Sequence, residues 1–238
     1  MKIAIFLAIS LSLLVGGAIW ESQSNSRSVQ QNQALNQKEK EDPTTLRARL
    51  KKAKPNGNNE VIFAAPEPIL ADVGSLDEAL AHFSVVVATL VDATSLQVDA
   101  RNIMTYYKFR ILESLSEKQL AGAGVPENLP TELSPPKNDE IYLLEGGGTV
   151  LIDGVKVTQK RDYEYVKSRK YLLFISKNNS ATIGMVNLGK YGVFRVKEED
   201  NDTVEAIVDE VGPLKRDLEQ QHGNKISRLR SAAKRNND

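Results

Sequence analysis

Cysteine is absent from all 238 residues. That absence removes disulfide staples, thiol nucleophiles, zinc–thiolate sites and a lipidated cysteine of the lipoprotein type together. A chain that folds outside the cytoplasm without disulfides is held by its apolar core alone. Histidine is nearly as scarce, with two residues. His82 falls at the end of a predicted helix, where the dipole favours it, and His222 lies far away in a polar helical stretch. No Gly-x-Ser-x-Gly elbow accompanies them, so Ser-His-Asp chemistry has no frame. Net charge is missing too, with 31 basic and 31 acidic residues.

The zero hides a split. Residues 61–212 carry 15 Lys/Arg against 23 Asp/Glu, a net of −8. Residues 21–60 carry 8 against 5, and residues 213–238 carry 7 against 3. An acidic body with basic flanks argues against a nucleic-acid-binding core. The flanks read as solvated ends, with contact to an anionic membrane surface or to the body itself as the alternatives.

What is present begins with Lys2 and the uncharged run Ile3 to Trp20. A basic start, an apolar centre and small residues at Gly16 and Ala18 match a secretory signal with cleavage after Ala18; the alternative is an uncleaved anchor, since eighteen apolar residues just span a bilayer. Residues 21–60 are rich in Ser, Gln, Asn, Lys and Arg and read as a disordered tether with a reach of tens of ångströms. Within it, Thr44 to Lys54 forms at most a short basic helix that Pro55 stops.

Order is expected from Val61 to about residue 200. Ser75-Leu-Asp-Glu78 is a capping box that predicts a helix from Leu76 to His82. Val85 to Val91 reads as a strand covered on both faces. Thr105 to Glu113 alternates, with Tyr107, Phe109 and Ile111 on a buried face and Tyr106, Lys108 and Arg110 on a solvated one. Asp92 to Asn102 and the proline-bearing Ser116 to Asp139 read as loops. Ile141 to Leu144 is a strand, and Gly146 to Gly148 suits a bulge or a sharp corner. Asp153-Gly154 predicts a two-residue type I′ hairpin between Thr149–Ile152 and Val155–Thr158. Lys160 to Lys170 reads as an exposed loop. Strands follow at Tyr171–Ile175, Ala181–Val186 and Tyr191–Val196. From Val204 the chain reads as helical, ending in a basic helix from Asn224 to Arg235 whose stripe of Ile226, Leu229 and Ala233 is enough to dock. The fold class is mainly β: a small antiparallel barrel, OB-like, or a sandwich, with a short N-terminal helix and a C-terminal helix, residues 201–238 forming a basic helical tail.

Candidate chemistry is sparse. Glu145 and Asp153 are the best-placed acids for a carboxylate pair, yet Asp153 is explained by its turn. The glycine triplet lacks the Gly-Lys-Ser/Thr ending of a phosphate loop. Glu198-Glu-Asp-Asn-Asp202 lacks the spacing of a calcium loop and reads as a solvated acidic turn. Asn178-Asn-Ser180 and Asn201-Asp-Thr203 match the glycosylation pattern. Arg161, Tyr163, Tyr165 and Lys167 form the one aromatic-plus-basic cluster and are the predicted binding residues; the competing reading folds the tyrosines down as a lid on the domain. No catalytic, cofactor-binding or metal-ligating residue is assigned.

Ser84 to Val91, Tyr106 to Leu115, Glu145-Gly-Gly-Gly148, Tyr171-Leu-Leu-Phe174 and Gly189 to Val196 together resemble a loose group of uncharacterised secreted bacterial β domains. Their layout is similar to the OB-like barrels of netrin-type and metalloproteinase-inhibitor domains, over about Leu76 to Val196. Those inhibitors depend on an N-terminal cysteine and disulfides, which this chain lacks, so the resemblance implies fold and location and carries over no inhibitory function. The expectation is an exported protein, periplasmic or extracellular or tethered to the membrane by residues 3–20. It acts there as a non-catalytic binding or scaffolding module on an envelope protein or glycan. A hydrolase centred on Glu145 and a membrane-anchored structural protein are the alternatives.

Overall fold

The computed structural model describes residues 42–53, 59–65, 73–116, 129–177, 185–187, 189–209 and 212–235. The predicted signal segment, most of the tether, the Asn178 sequon and residues 181–184 of a predicted strand lie outside them. The chain divides into two units, residues 1–54 and 55–238. The first contains α1 (Leu46–Lys52), whose N-cap Thr45 accepts from the Ala48 amide at 3.2 Å. Its basic residues cluster in the last turn, where the helix dipole favours them.

The second unit runs β1 (Glu60–Ala64), α2 (Leu76–His82), β2 (Ser84–Gln97), β3 (Ile103–Ser116), β4 (Glu140–Gly146), β5 (Gly148–Ile152), β6 (Val155–Lys160), β7 (Lys170–Lys177), β8 (Met185–Asn187), a 3₁₀ turn, β9 (Val193–Val196), β10 (Val204–Ala206), α3 (Pro213–His222) and α4 (Ile226–Arg235). It is mainly β, as the spacing of apolar runs predicts. A seven-stranded sheet has the order β10-β9-β7-β2-β3-β4-β8, and a three-stranded sheet the order β1-β6-β5. β8 also pairs with β7, so the large sheet curls back on itself. Its other partner is β4, through the single pair Leu143↔Met185. These pairings link β7-β2-β3-β4-β8 in a ring, but its β4–β8 side is that one pair and no continuous ladder, and the sheets are not closed into a barrel. Nor is the pairing wholly antiparallel: β1 runs parallel to β6, and β8 parallel to β4.

β7 lies between β2 and β9 and is buried on both faces, as its unbroken Tyr-Leu-Leu-Phe-Ile run predicts. Leu172 and Phe174 point to a core shared with Leu76 and Leu80 of α2, Leu214 and Leu218 of α3 and Ile226 and Leu229 of α4. Tyr171, Leu173 and Ile175 join the opposite cluster with Val86, Phe109 and Leu143. The capping box forms at α2, with Ser75 Oγ accepting from the Glu78 amide at 3.2 Å. Glu78 reaches back to the amide of Gly74 at 2.8 Å, one residue before the cap. The terminal helix docks through the predicted stripe, with Ile226, Leu229 and Ala233 all buried.

Three sequence expectations are corrected. Asp92 to Gln97 continues β2 instead of forming a loop, since that half of the strand pairs with β3 beyond the reach of β7 and accepts polar, solvent-facing residues. The face of Tyr106 and Lys108 is not solvated. Residues 129–139 cross it, placing Leu133 against Tyr106 and Tyr142, while Ser134 accepts from Lys108 Nζ at 2.5 Å through its hydroxyl and from Tyr142 Oη at 2.8 Å through its carbonyl. Lys108 is thereby buried with Glu140, Nζ to Oε2 3.7 Å. Finally, Val204 opens a short edge strand, and helix begins only at Pro213.

The two predicted turns have the backbone their residues suggest. Asp153 (φ 51°) and Gly154 (φ 80°) are both left-handed, as a type I′ hairpin requires. Gly147 (φ 91°) and Gly148 (φ 133°) carry the chain from the large sheet into the small one. A Cβ on Gly148 would stand 2.3 Å from both Ser95 Oγ and Thr105 Oγ1, whereas one on Gly154 meets open space. Gly148→Ala is therefore expected to cost about 3 kcal/mol or more, from backbone strain plus overpacking. Gly154→Ala carries the strain alone and should cost about 1 kcal/mol. Urea melts of the two variants check the ordering.

Candidate binding site

Just past the glycine corner, Arg161 turns back over the end of β4. The register of the β5–β6 hairpin, with Gly148 opposite Gln159, extrapolates to place Arg161 beside Glu145 and Gly147. Its Nη1 lies 3.2 Å from Glu145 Oε2, and its Nη2 donates to Thr105 Oγ1 at 2.7 Å and to the Gly147 carbonyl at 3.2 Å. The guanidinium carbon stands 4.9 Å from the Tyr107 ring centroid. The other Glu145 oxygen, Oε1, accepts from Tyr165 Oη at 2.7 Å. The side chains of Arg161 and Glu145 are 12% and 9% exposed, so the ion pair is largely withdrawn from water.

Tyr165 is buried and meets four rings edge-on: Tyr107 at 4.6 Å, Phe109 and Tyr171 at 5.1 Å, and Tyr163 at 5.6 Å between centroids. Such contacts add to the area term of a buried aromatic. Tyr171 Oη accepts from the Val166 amide at 2.7 Å. The segment 161–169 is thus tied down at its centre, and of the two readings of the aromatic-plus-basic cluster the tyrosines follow the lid. Tyr165 is folded in as a lid, Tyr163 is half-buried against it, and Arg161 is spent on Glu145. Lys167 stands apart on the surface, 3.4 Å from Asp92 Oδ1 in a solvated ion pair of small energetic weight. Asp153 stays exposed at its turn, away from the Glu145 network.

The C-terminal end of the same segment borders a cleft of about 290 Å³ between it and the β9–β10 turn. It is lined by Val166 and Arg169 on one side of the sequence and by Arg195 to Glu199 and Glu205 on the other. Arg169 pairs with Glu198, and Arg195 Nη1 lies 3.6 Å from Glu205 Oε1. Arg195 Nε is buried and makes no hydrogen bond. The sequence treated Glu198–Asp202 only as an acidic turn. The cleft was missed because its two walls are separated by β7 and the segments after it, and only the β7–β9 pairing brings them together.

The acidic turn is used in packing. Asp200 accepts from Lys225 Nζ at 2.7 Å and from the amides of Thr203 and Asp202, and these bonds hold its carboxyl well below the usual carboxylate range. Asp202 accepts from the amide and hydroxyl of Ser227 at 2.7 and 2.9 Å, holding the first turn of α4. Among the described residues no group of three or more His, Asp or Glu is placed to hold a metal ion. His82 and His222 end α2 and α3 respectively.

Two outcomes follow from the network. Glu145→Gln leaves a largely buried guanidinium without its counter-charge and should lower stability by about 3 kcal/mol, read as a drop in Tm. The second concerns alkaline pH. Burial pushes the Tyr107 hydroxyl up to about 12, against a lowering by Arg161, and raises Tyr165 well above its ordinary value with help from the Glu145 charge. In the unfolded chain both titrate near pH 10. The unfolded state then binds fewer protons, so stability present below about pH 10 is lost as pH rises toward 12. Phenolate absorbance should show Tyr107 and Tyr165 among the tyrosines that ionise only as the protein unfolds, and Tyr165→Phe should remove one from that late group.

No family model matches the chain, and no curated protein or solved structure matches it either.

Proposed function

We propose that the chain is an exported, non-catalytic binding or scaffolding module that acts on a protein or glycan at the cell envelope. The observation that carries this reading is how the charged groups are used. Glu145, the acid on which a hydrolase would depend, has both oxygens engaged by Arg161 and Tyr165. Charged side chains of both signs line the cleft between segment 161–169 and the β9–β10 turn. A shallow recess with both charge signs supports recognition by complementary polar and charged groups, in which partner charges replace the internal pairs Arg169–Glu198 and Arg195–Glu205. The apolar run Ile3–Trp20 and the polar stretch after it support the envelope location.

The test uses the full chain as bait against envelope extract and a glycan array, beside an Arg195→Glu/Lys197→Glu variant. Capture of a defined partner that the variant loses at unchanged Tm is the expected result. Equal capture by both proteins counts against the cleft. Turnover of a defined substrate, abolished in Glu145→Gln without loss of Tm, replaces this reading with the hydrolase.

A further inference from the structure

α4 (Ile226–Arg235) contains no acidic residue, although it packs on an acidic body. Its inner side is fully committed, with Ile226, Leu229, Ala232 and Ala233 buried in the helix-side core. Two of the basic residues at this end of the chain also have fixed structural partners. Arg230 makes a bidentate contact to Glu113 of β3, Nε to Oε1 2.5 Å and Nη2 to Oε2 2.8 Å. Lys225, just before the helix, holds Asp200. Arg228 and Lys234 are different: both are exposed, and neither has a hydrogen bond or ion pair among the described residues. Arg216 of α3 is exposed in the same way. The acids of α3 are Asp217, which accepts from the Leu76 amide at 2.8 Å, and the exposed Glu219.

We propose that the outward side of α4 is a docking surface for an anionic lipid bilayer. This rests on the export reading, in which Ile3–Trp20 meets a membrane, and it adds which side of the domain turns toward that membrane. The argument is charge complementarity. Residues 61–212 carry a net −8 and are repelled by an anionic leaflet, while residues 213–238 carry a net +4 and are attracted. A body with its charge divided in this way has one favourable orientation, with α4 against the headgroups. Arg230 and Lys225 tie the helix to the body, while Arg228 and Lys234 are exposed on its outward side with no ion pair among the described residues.

The composition of the chain makes the test direct. With no native cysteine, Ser231→Cys on the exposed side of α4 takes a single environment-sensitive fluorophore, and Leu151→Cys on the exposed β5–β6 hairpin takes the control. The full chain is mixed with phosphatidylcholine vesicles, with or without phosphatidylglycerol. The Ser231 label should respond on anionic vesicles only, and molar salt should reverse the response. The label at position 151 should stay silent. Arg228→Glu with Lys234→Glu should weaken the Ser231 response by roughly thirtyfold or more, with Tm unchanged. Equal responses on neutral and anionic vesicles, equal responses at the two labels, or indifference to the charge reversal would overturn the proposal. Emission from Trp20, the single tryptophan, reports separately on the N-terminal segment. If it shifts on no vesicle the anchor reading fails, while the Ser231 label still decides the question for α4.

Discussion

The Arg161 guanidinium binds the sheet corner to the segment that leaves it. It reaches a carboxylate, a hydroxyl, a backbone carbonyl and an aromatic face, all contributed by β3, β4 or the bend after β4. The carbonyl it uses belongs to Gly147, whose left-handed backbone only glycine adopts without strain. Thr105 closes the arrangement by donating to the same carbonyl at 2.7 Å and pairing with Ser95 at 2.8 Å. The glycine triplet, Glu145, Arg161 and Tyr165 are thus one device. A buried ion pair of this kind adds little net stability over an apolar replacement, but removing one partner is expensive because the other charge stays behind. Its effect is to specify a single path for the chain across the end of the sheet.

That path decides what the surface offers. With Tyr165 inside, the segment 161–169 presents Val166 and Arg169 to the cleft and Lys167 to solvent. The other wall is held just as firmly, since Lys225, Ser227 and Thr203 saturate Asp200 and Asp202 at the start of α4. Both walls hang from β7, one through the strand's own start and the other through its pairing with β9. Rigid walls with solvated ion pairs suit recognition through preformed geometry, because little side-chain freedom remains to be lost on contact.

Local rules made much of this legible. Ser75 and Glu78 announced α2, Asp153-Gly154 announced the hairpin, and the Ile226, Leu229 and Ala233 stripe announced the docking of α4, because each depends on residues close together in the sequence. The long-range features were harder to read. Lys108 looked solvent-facing because nothing in its own strand says that Leu133 and Ser134 will cover it. Strand β2 looked shorter because polar residues on a strand that extends past the core resemble a loop. Arg161 and Tyr165 stand out in the sequence as members of one cluster that is open to both a surface reading and a lid reading. Continuing the hairpin register two residues past Gln159 would have set Arg161 opposite Gly146, next to Glu145, and shown the pair in the sequence itself. The cleft carried no such signal, since β7 and the chain beyond it separate its walls.

The claim that Arg161 and Glu145 act as one unit is tested most directly by a double-mutant cycle. Glu145→Gln, Arg161→Gln and the double variant would be unfolded in urea beside the parent chain. The account predicts a coupling of about 1–3 kcal/mol, with the double variant more stable than the sum of the two losses allows. Additive losses, with coupling indistinguishable from zero, would contradict it and reduce the Arg161 contacts to incidental neighbours of the glycine corner.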